Sequence, residues 1–142
     1  MTTSQSGEMS SSSVMGGVSI AGVVTCTPKR VIPNSFFEAS FGAKEIDEVS
    51  KISGVTSRRW CSDDQTTADL CGQAAKSLMQ NLAWDPSTID ALIFISQTPD
   101  FSLPPTSLVL HRDLGLKKSC IAFDINLGCS AYPYGLFVAS SL

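Results

Sequence analysis

The stretch Cys120-Ile-Ala-Phe-Asp124, Ile125-Asn-Leu-Gly128, Cys129-Ser-Ala-Tyr-Pro-Tyr-Gly-Leu-Phe-Val-Ala139 decides the fold of this chain. Ile121 to Asp124 predicts a short buried strand, and Asn126 and Gly128 suit a sharp turn. The apolar run that follows predicts a helix with Cys129 at its mouth. The first turn of a helix has unpaired N–H groups and a partial positive charge, and both favour a nucleophilic thiolate. Cys129 is therefore the candidate nucleophile. It fits equally as a small buried hydrophobe, the usual role of a free cysteine, and the residue alone does not separate the two. Pro133 is compatible with the placement: with Cys129 as N-cap it takes the fourth helical position, at the edge of the first turn, where proline costs little.

Upstream, Ala91-Leu-Ile-Phe-Ile95 is apolar enough for a strand buried on both sides, and Pro104-Pro105 opens a helix that closes at Leu114-Gly115. The longest helix follows Thr66 or Thr67 as cap, with Cys71, Ala74, Ala75, Leu78, Met79 and Leu82 on one continuous face, and Asp85-Pro86 ends it. Nearer the start, Val18 to Thr25 predicts a strand leading into a loop punctuated by Pro28 and Pro33. Asn34 is placed to cap a short helix through Phe36 and Phe37, and a charged helix runs near Lys44 to Ser50. Strands alternating with helices predict a layered α/β fold around a mostly parallel sheet, whose ligands collect beyond the carboxyl ends of the strands. Cys129 lies at such an end.

Composition narrows the function. A chain of 142 residues, 43% hydrophobic and 16% charged, is too apolar for intrinsic disorder and long enough for one core. A net charge of −3 gives no basic footprint for nucleic acid, and no apolar run approaches the roughly 18 residues of a membrane span. Residues 1–15 read as a flexible Ser-rich tail without the pattern of a secretory signal, ahead of one domain over 16–142. The five cysteines, Cys26, Cys61, Cys71, Cys120 and Cys129, include no Cys-x-x-Cys pair, which argues against a disulfide framework or a metal site and for a reducing, cytoplasmic compartment.

An ordered series of motifs runs from about Val18 to the last residue: Gly54-Val-Thr-Ser-Arg58, Thr66-Thr67-Ala-Asp-Leu70, Ile89-Asp90-Ala-Leu-Ile-Phe-Ile95, Thr98-Pro99-Asp100 with Pro104, Leu114-Gly115, Phe123-Asp124 and Cys129-Ser130. This series resembles the N-terminal part of the β-ketoacyl-acyl-carrier-protein synthase III family. The resemblance implies a thiolase-like α/β/α fold, of which residues 16–142 form an incomplete first half, and makes Cys129 the acyl-accepting cysteine. It implies condensation of the acyl-enzyme with a malonyl thioester in fatty-acid or related lipid or polyketide synthesis. Acyl carrier protein, an acyl-coenzyme A or acyl-carrier substrate, and a second subunit are then the partners, with no further cofactor. The family's catalytic histidine and asparagine lie beyond the position of Leu142, so the chain reads as a truncation, a proteolytic fragment or one piece of a split protein, inactive in condensation by itself. Its one histidine, His111, has the spacing and charged neighbours of an ordinary helix-face residue.

The resemblance also bears on substrate. Glu48 and Ile52 stand where many members hold the adenine of coenzyme A between a tryptophan and an arginine, which favours a carrier-bound or longer acyl donor. Arg58, with Lys51 and Arg59, is a candidate for meeting a phosphate or an acidic carrier protein, although a solvated charged loop explains these residues as well. Leu103 takes the place of a residue that reaches the partner's acyl pocket, or merely packs its own loop. Another thiolase-fold enzyme, such as a thiolase or hydroxymethylglutaryl synthase relative, and a non-catalytic partner subunit are the alternatives.

Overall fold

A computed structural model describes residues 17–142. The tail expected over residues 1–15 lies outside the described residues. At the centre are two parallel strands, β3 (Ala91–Ile95) and β4 (Ile121–Ile125), in register from Ala91 opposite Ile121 to Ile95 opposite Ile125. Side chains alternate across the pleat, so Leu92 and Phe94 face one way and Ala91, Ile93 and Ile95 the other.

On the first face lie α3 (Thr67–Leu82) and α4 (Thr106–Asp113). Phe94, 4% exposed, meets Ala68, Leu110, Leu114, Leu116 and Cys120 there, with Cys71, Ala75 and Met79 of α3 packed around them. On the second face lies α5 (Ala131–Ser141). Its Gly135 rests directly on Ile95, where any added Cβ would collide with Ile95 Cδ1. The three layers are the α/β/α arrangement expected. The expectations of buried strands need correction: in Ala91–Ile95 only Phe94 is buried and its neighbours are half-buried, and in Ile121–Asp124 Ile121 is exposed and the rest half-buried. Among the described residues the sheet has two strands, so each has one edge without a neighbour.

Local sequence explains the helix ends. Thr66 caps α3 reciprocally with Asp69: Asp69 N–H donates to Thr66 Oγ1 (3.3 Å) and Thr66 N–H to Asp69 Oδ2 (2.8 Å). All six residues of the expected α3 face are half-buried. After α4 the chain turns at Gly115 (φ +67°), as Leu114-Gly115 predicted. Asp85 caps a short 3-10 turn, Pro86–Thr88, through Ser87 N–H.

The earlier residues form a second element group. β1 (Arg30–Pro33) pairs antiparallel with β2 (Ser57–Trp60), and α1 (Glu38–Phe41) and α2 (Ala43–Ser53) connect them. Three expectations change here. Val18–Thr25 has no ladder partner among the described residues and is not a strand, yet its burial keeps a strand's period: Gly22, Val24 and Cys26 are half-buried, and Ala21, Val23 and Thr25 are exposed. Its inner side lies along α3, since a Cβ on Gly22 would sit 3.0 Å from Leu78 and 3.4 Å from Leu82. Asn34 is not a cap. It is buried, and its Nδ2 donates to Ser50 Oγ and to the Val55 carbonyl, both at 2.6 Å, tying α2 to the strands. Arg58 and Arg59 lie on strand β2 rather than in a loop, because both flank a ladder with β1.

Candidate active site

β3 and β4 end level with each other, and Ser96 N–H donating to the Ile125 carbonyl (3.2 Å) continues their ladder by one bond. Two loops leave from this end. The first, residues 96–105, is held by Thr98 N–H on Ser96 Oγ (3.0 Å) and by Phe101 N–H on Thr106 Oγ1 (3.2 Å). The second is the tight turn at 126–130, in which Leu127 N–H donates to the Ile125 carbonyl (3.1 Å) and Ala131 N–H to the Gly128 carbonyl (2.8 Å).

Cys129 sits exposed in that turn. It is not the N-cap of α5, as the sequence suggested, but the residue before it: Ser130 is the N-cap. Pro133 consequently falls at the third helical position rather than the fourth, within the first turn, where no backbone N–H has an intrahelical partner to lose. The backbone N–H of Cys129 makes no hydrogen bond among the described residues and is available to a carbonyl oxygen beside the thiol. The buried-hydrophobe alternative does not hold for this cysteine. It does describe others: Cys120 is buried and Cys71 half-buried, and in both cases burial pushes the thiol above its ordinary value, with Asp100 and Cys26 adding to the rise at Cys71.

Two neighbours of Cys129 have roles that the sequence did not show. Asp124, at the end of β4, accepts Thr106 N–H on Oδ2 (2.9 Å) and Ser107 N–H on Oδ1 (2.8 Å), so a strand carboxylate caps α4. Thr106 and Ser107 are fully buried by this junction. Gln97 lies over Gly128: a Cβ there would overlap the Gln97 amide nitrogen and come within 3.0 Å of Cδ.

The other predicted site residues are placed differently. Leu103 is 90% exposed, in the loop that leaves β3 at the same end as Cys129. Arg58 is on the antiparallel pair, where its Nη2 donates to Asn34 Oδ1 (2.8 Å) and its guanidinium lies 4.5 Å from the Phe37 ring centre. Arg59 donates to the Lys29 carbonyl (3.0 Å), and Lys51 pairs with Asp47 on α2. Glu48 faces Lys44 at 3.9 Å, and Ile52 is 88% exposed. His111 Nε2 is 3.0 Å from the Lys117 carbonyl, at the end of α4 away from Asp124, which fits the helix-face role given to it. An apolar groove of about 430 Å³ runs between α5 and β3, lined by Ile93, Ile95, Tyr132, Gly135, Leu136 and Ala139 among others. A larger hollow, about 600 Å³ between α3 and α4, does not include Cys129. Among the described residues no group of three or more His, Cys, Asp or Glu could hold a metal ion, and no helix is long and apolar enough to cross a membrane.

No family model matches the chain. Its relatives include the protein provisionally named 3-oxoacyl-[acyl-carrier-protein] synthase 3 of Campylobacter jejuni, 36% identical over 126 residues, which are 87% of this chain and 36% of that protein. The β-ketoacyl-[acyl-carrier-protein] synthase III of a Jannaschia species is 33% identical over 116 residues, 81% of this chain and 35% of that protein. Among solved structures, a 3-oxoacyl-(acyl-carrier protein) synthase from Burkholderia xenovorans superposes with a TM-score of 0.83 at 45% identity, covering 85% of this chain and 35% of the other. The chain thus spans about a third of the length of the relatives it matches.

Proposed function

We propose, from the premise that this chain is similar over most of its length to the N-terminal third of 3-oxoacyl-[acyl-carrier-protein] synthase III proteins, that it carries the acyl-accepting half of such an enzyme's site. One observation carries the proposal: Cys129 stands exposed in a tight turn ahead of α5, beyond the carboxyl ends of two parallel strands. The Cys129 thiolate attacks the carbonyl of an acyl thioester; an S–C bond forms to Cys129, and the carrier's C–S bond breaks to release its thiol. The free N–H of Cys129 supports the oxyanion of the tetrahedral intermediate. A malonyl thioester then loses carbon dioxide, its enolate carbon attacks the acyl-enzyme, and the Cys129 S–C bond breaks. The described residues support formation of the acyl-enzyme, and the enolate of the second step needs further donors at its oxygen. The chemistry needs no metal or redox cofactor.

The same reading gives the partners. Acyl carrier protein delivers the malonyl group, and a second subunit receives Leu103 at its acyl pocket, for which the 90% exposure of Leu103 is the support. Arg58 borders the phosphate or carrier-binding surface beside Arg59, and the enzyme works in the cytoplasm. Glu48 and Ile52 supply neither stacking nor charge pairing to an adenine, which favours acyl-carrier protein over acetyl-coenzyme A as donor. The test is condensation with malonyl-acyl carrier protein by the full protein, primed with either donor. Product formed faster from the acyl-carrier donor is the expected result. Fast priming from acetyl-coenzyme A overturns the donor assignment, and absence of product from every donor favours a non-catalytic subunit.

A further inference from the structure

Gly128 has no need of glycine's conformational freedom, since its φ is not positive; a Cβ there would overlap the far end of the Gln97 side chain, which would have to swing aside to admit it. Gln97 is itself presented from a fixed loop. Ser96 is bound into the β3–β4 ladder through the Ile125 carbonyl, and Thr98 N–H closes a small turn on Ser96 Oγ. The turn that carries Cys129 is thus clasped from two sides, by its own bond from Ala131 N–H to the Gly128 carbonyl and by a side chain from the preceding strand's loop. Gln97 is exposed, and its contact with this turn is one of shape. We propose that Gln97 is a positioning residue for the nucleophile: its side chain, seated on the bare Cα of Gly128, sets the conformation from which the Cys129 thiol meets a thioester carbonyl. This rests on Cys129 being the acyl acceptor. Gly128→Ala displaces the amide from its seat and so does to the turn what Gln97→Ala does by truncation. The two substitutions therefore act on one interaction and should not multiply.

The experiment uses the full protein with Gln97→Ala, Gly128→Ala, the double variant and Gln97→Met, which keeps the length of the side chain. Single-turnover acylation of Cys129 is followed by intact mass over a range of acyl thioester concentrations, with thermal unfolding and iodoacetamide labelling of Cys129 alongside. Expected for Gln97→Ala is a maximal acylation rate lower by roughly tenfold to a hundredfold, the scale of a small misplacement of a reacting group, at an unchanged half-saturating concentration and unfolding temperature. The double variant should be no slower than the slower single, and Gln97→Met should restore most of the rate. Wild-type rates in Gln97→Ala, or single losses that multiply in the double, overturn the proposal. If the unsubstituted protein accepts no acyl group, the proposed function fails instead. Iodoacetamide then still reports on Gln97: Cys129 labelling changed alike in both singles supports positioning, and labelling unaffected by Gln97→Ala refutes it.

Discussion

Cys129 differs from Cys71 and Cys120 in the surroundings of its sulfur: it lies exposed ahead of a helix N-terminus, and they lie among core side chains. Brief iodoacetamide treatment at neutral pH should label Cys129 before Cys26, Cys61, Cys71 or Cys120. Burial raises the Cys71 and Cys120 thiols, so both stay protonated at neutral pH and their labelling should rise only at a pH above that of an ordinary thiol. Peptide mass mapping across a pH series checks both statements, and early labelling of any other cysteine contradicts the first. The cysteine was legible in the sequence because strand, turn residues and apolar helix follow one another directly. Its position relative to the N-cap was off by one, since the boundary depends on turn geometry that Ser130 marks with no side-chain bond. Gln97 on Gly128 was illegible, because it is a contact between two loops that only the pairing of β3 with β4 brings together.

Between elements, Asp124 joins β4 to α4 through two short hydrogen bonds to backbone amides. Asp124→Ala leaves both amides without an acceptor at a buried helix start and should cost about 1–2 kcal/mol, the scale of losing a helix cap. Thermal or denaturant unfolding measures it, and a variant as stable as the original would contradict the role. Gly135 makes the contact of α5 with the sheet. Gly135→Ala should destabilise by about 1–3 kcal/mol through overpacking against Ile95. Adding Ile95→Val removes the colliding Cδ1, so the double variant should be more stable than Gly135→Ala alone, helped by the preference of helices for alanine. If the double is less stable than the single, the steric account is wrong. β3, β4, α3 and α4 were readable because each has a strong period or apolar run with a local stop signal, such as Thr66 or Gly115. The pairing of β1 with β2 was not, since Arg30–Pro33 and Ser57–Trp60 are four-residue strands exposed but for Ile32, and the bonds that tie them to α2 run through the side chain of Asn34, which the sequence suggested only as a helix cap. Val18–Thr25 has the composition and burial period of a strand but no ladder among the described residues, because composition sets which faces are apolar and not whether a neighbour is present.

For the molecule as a whole, the helix after Cys129 is apolar on every side: Gly135 is buried on Ile95, yet Tyr132, Tyr134, Leu136 and Phe137 are exposed. With Val18, Ile20 and Val23 also exposed, the 142-residue chain by itself presents more apolar surface than a monomer usually keeps in water. Sedimentation should therefore show it self-associating, and a stable, cooperatively unfolding monomer would contradict this. The layered architecture follows from the alternation of strands and helices, over a chain that spans about a third of a relative's length. The central claim, that Cys129 accepts the acyl group, is tested most directly by incubating the full protein with an acyl thioester and mapping the modified peptide by mass. One acyl group on Cys129, absent from Cys129→Ser, is the predicted result; acylation of another residue, or acylation that survives Cys129→Ser, would contradict it.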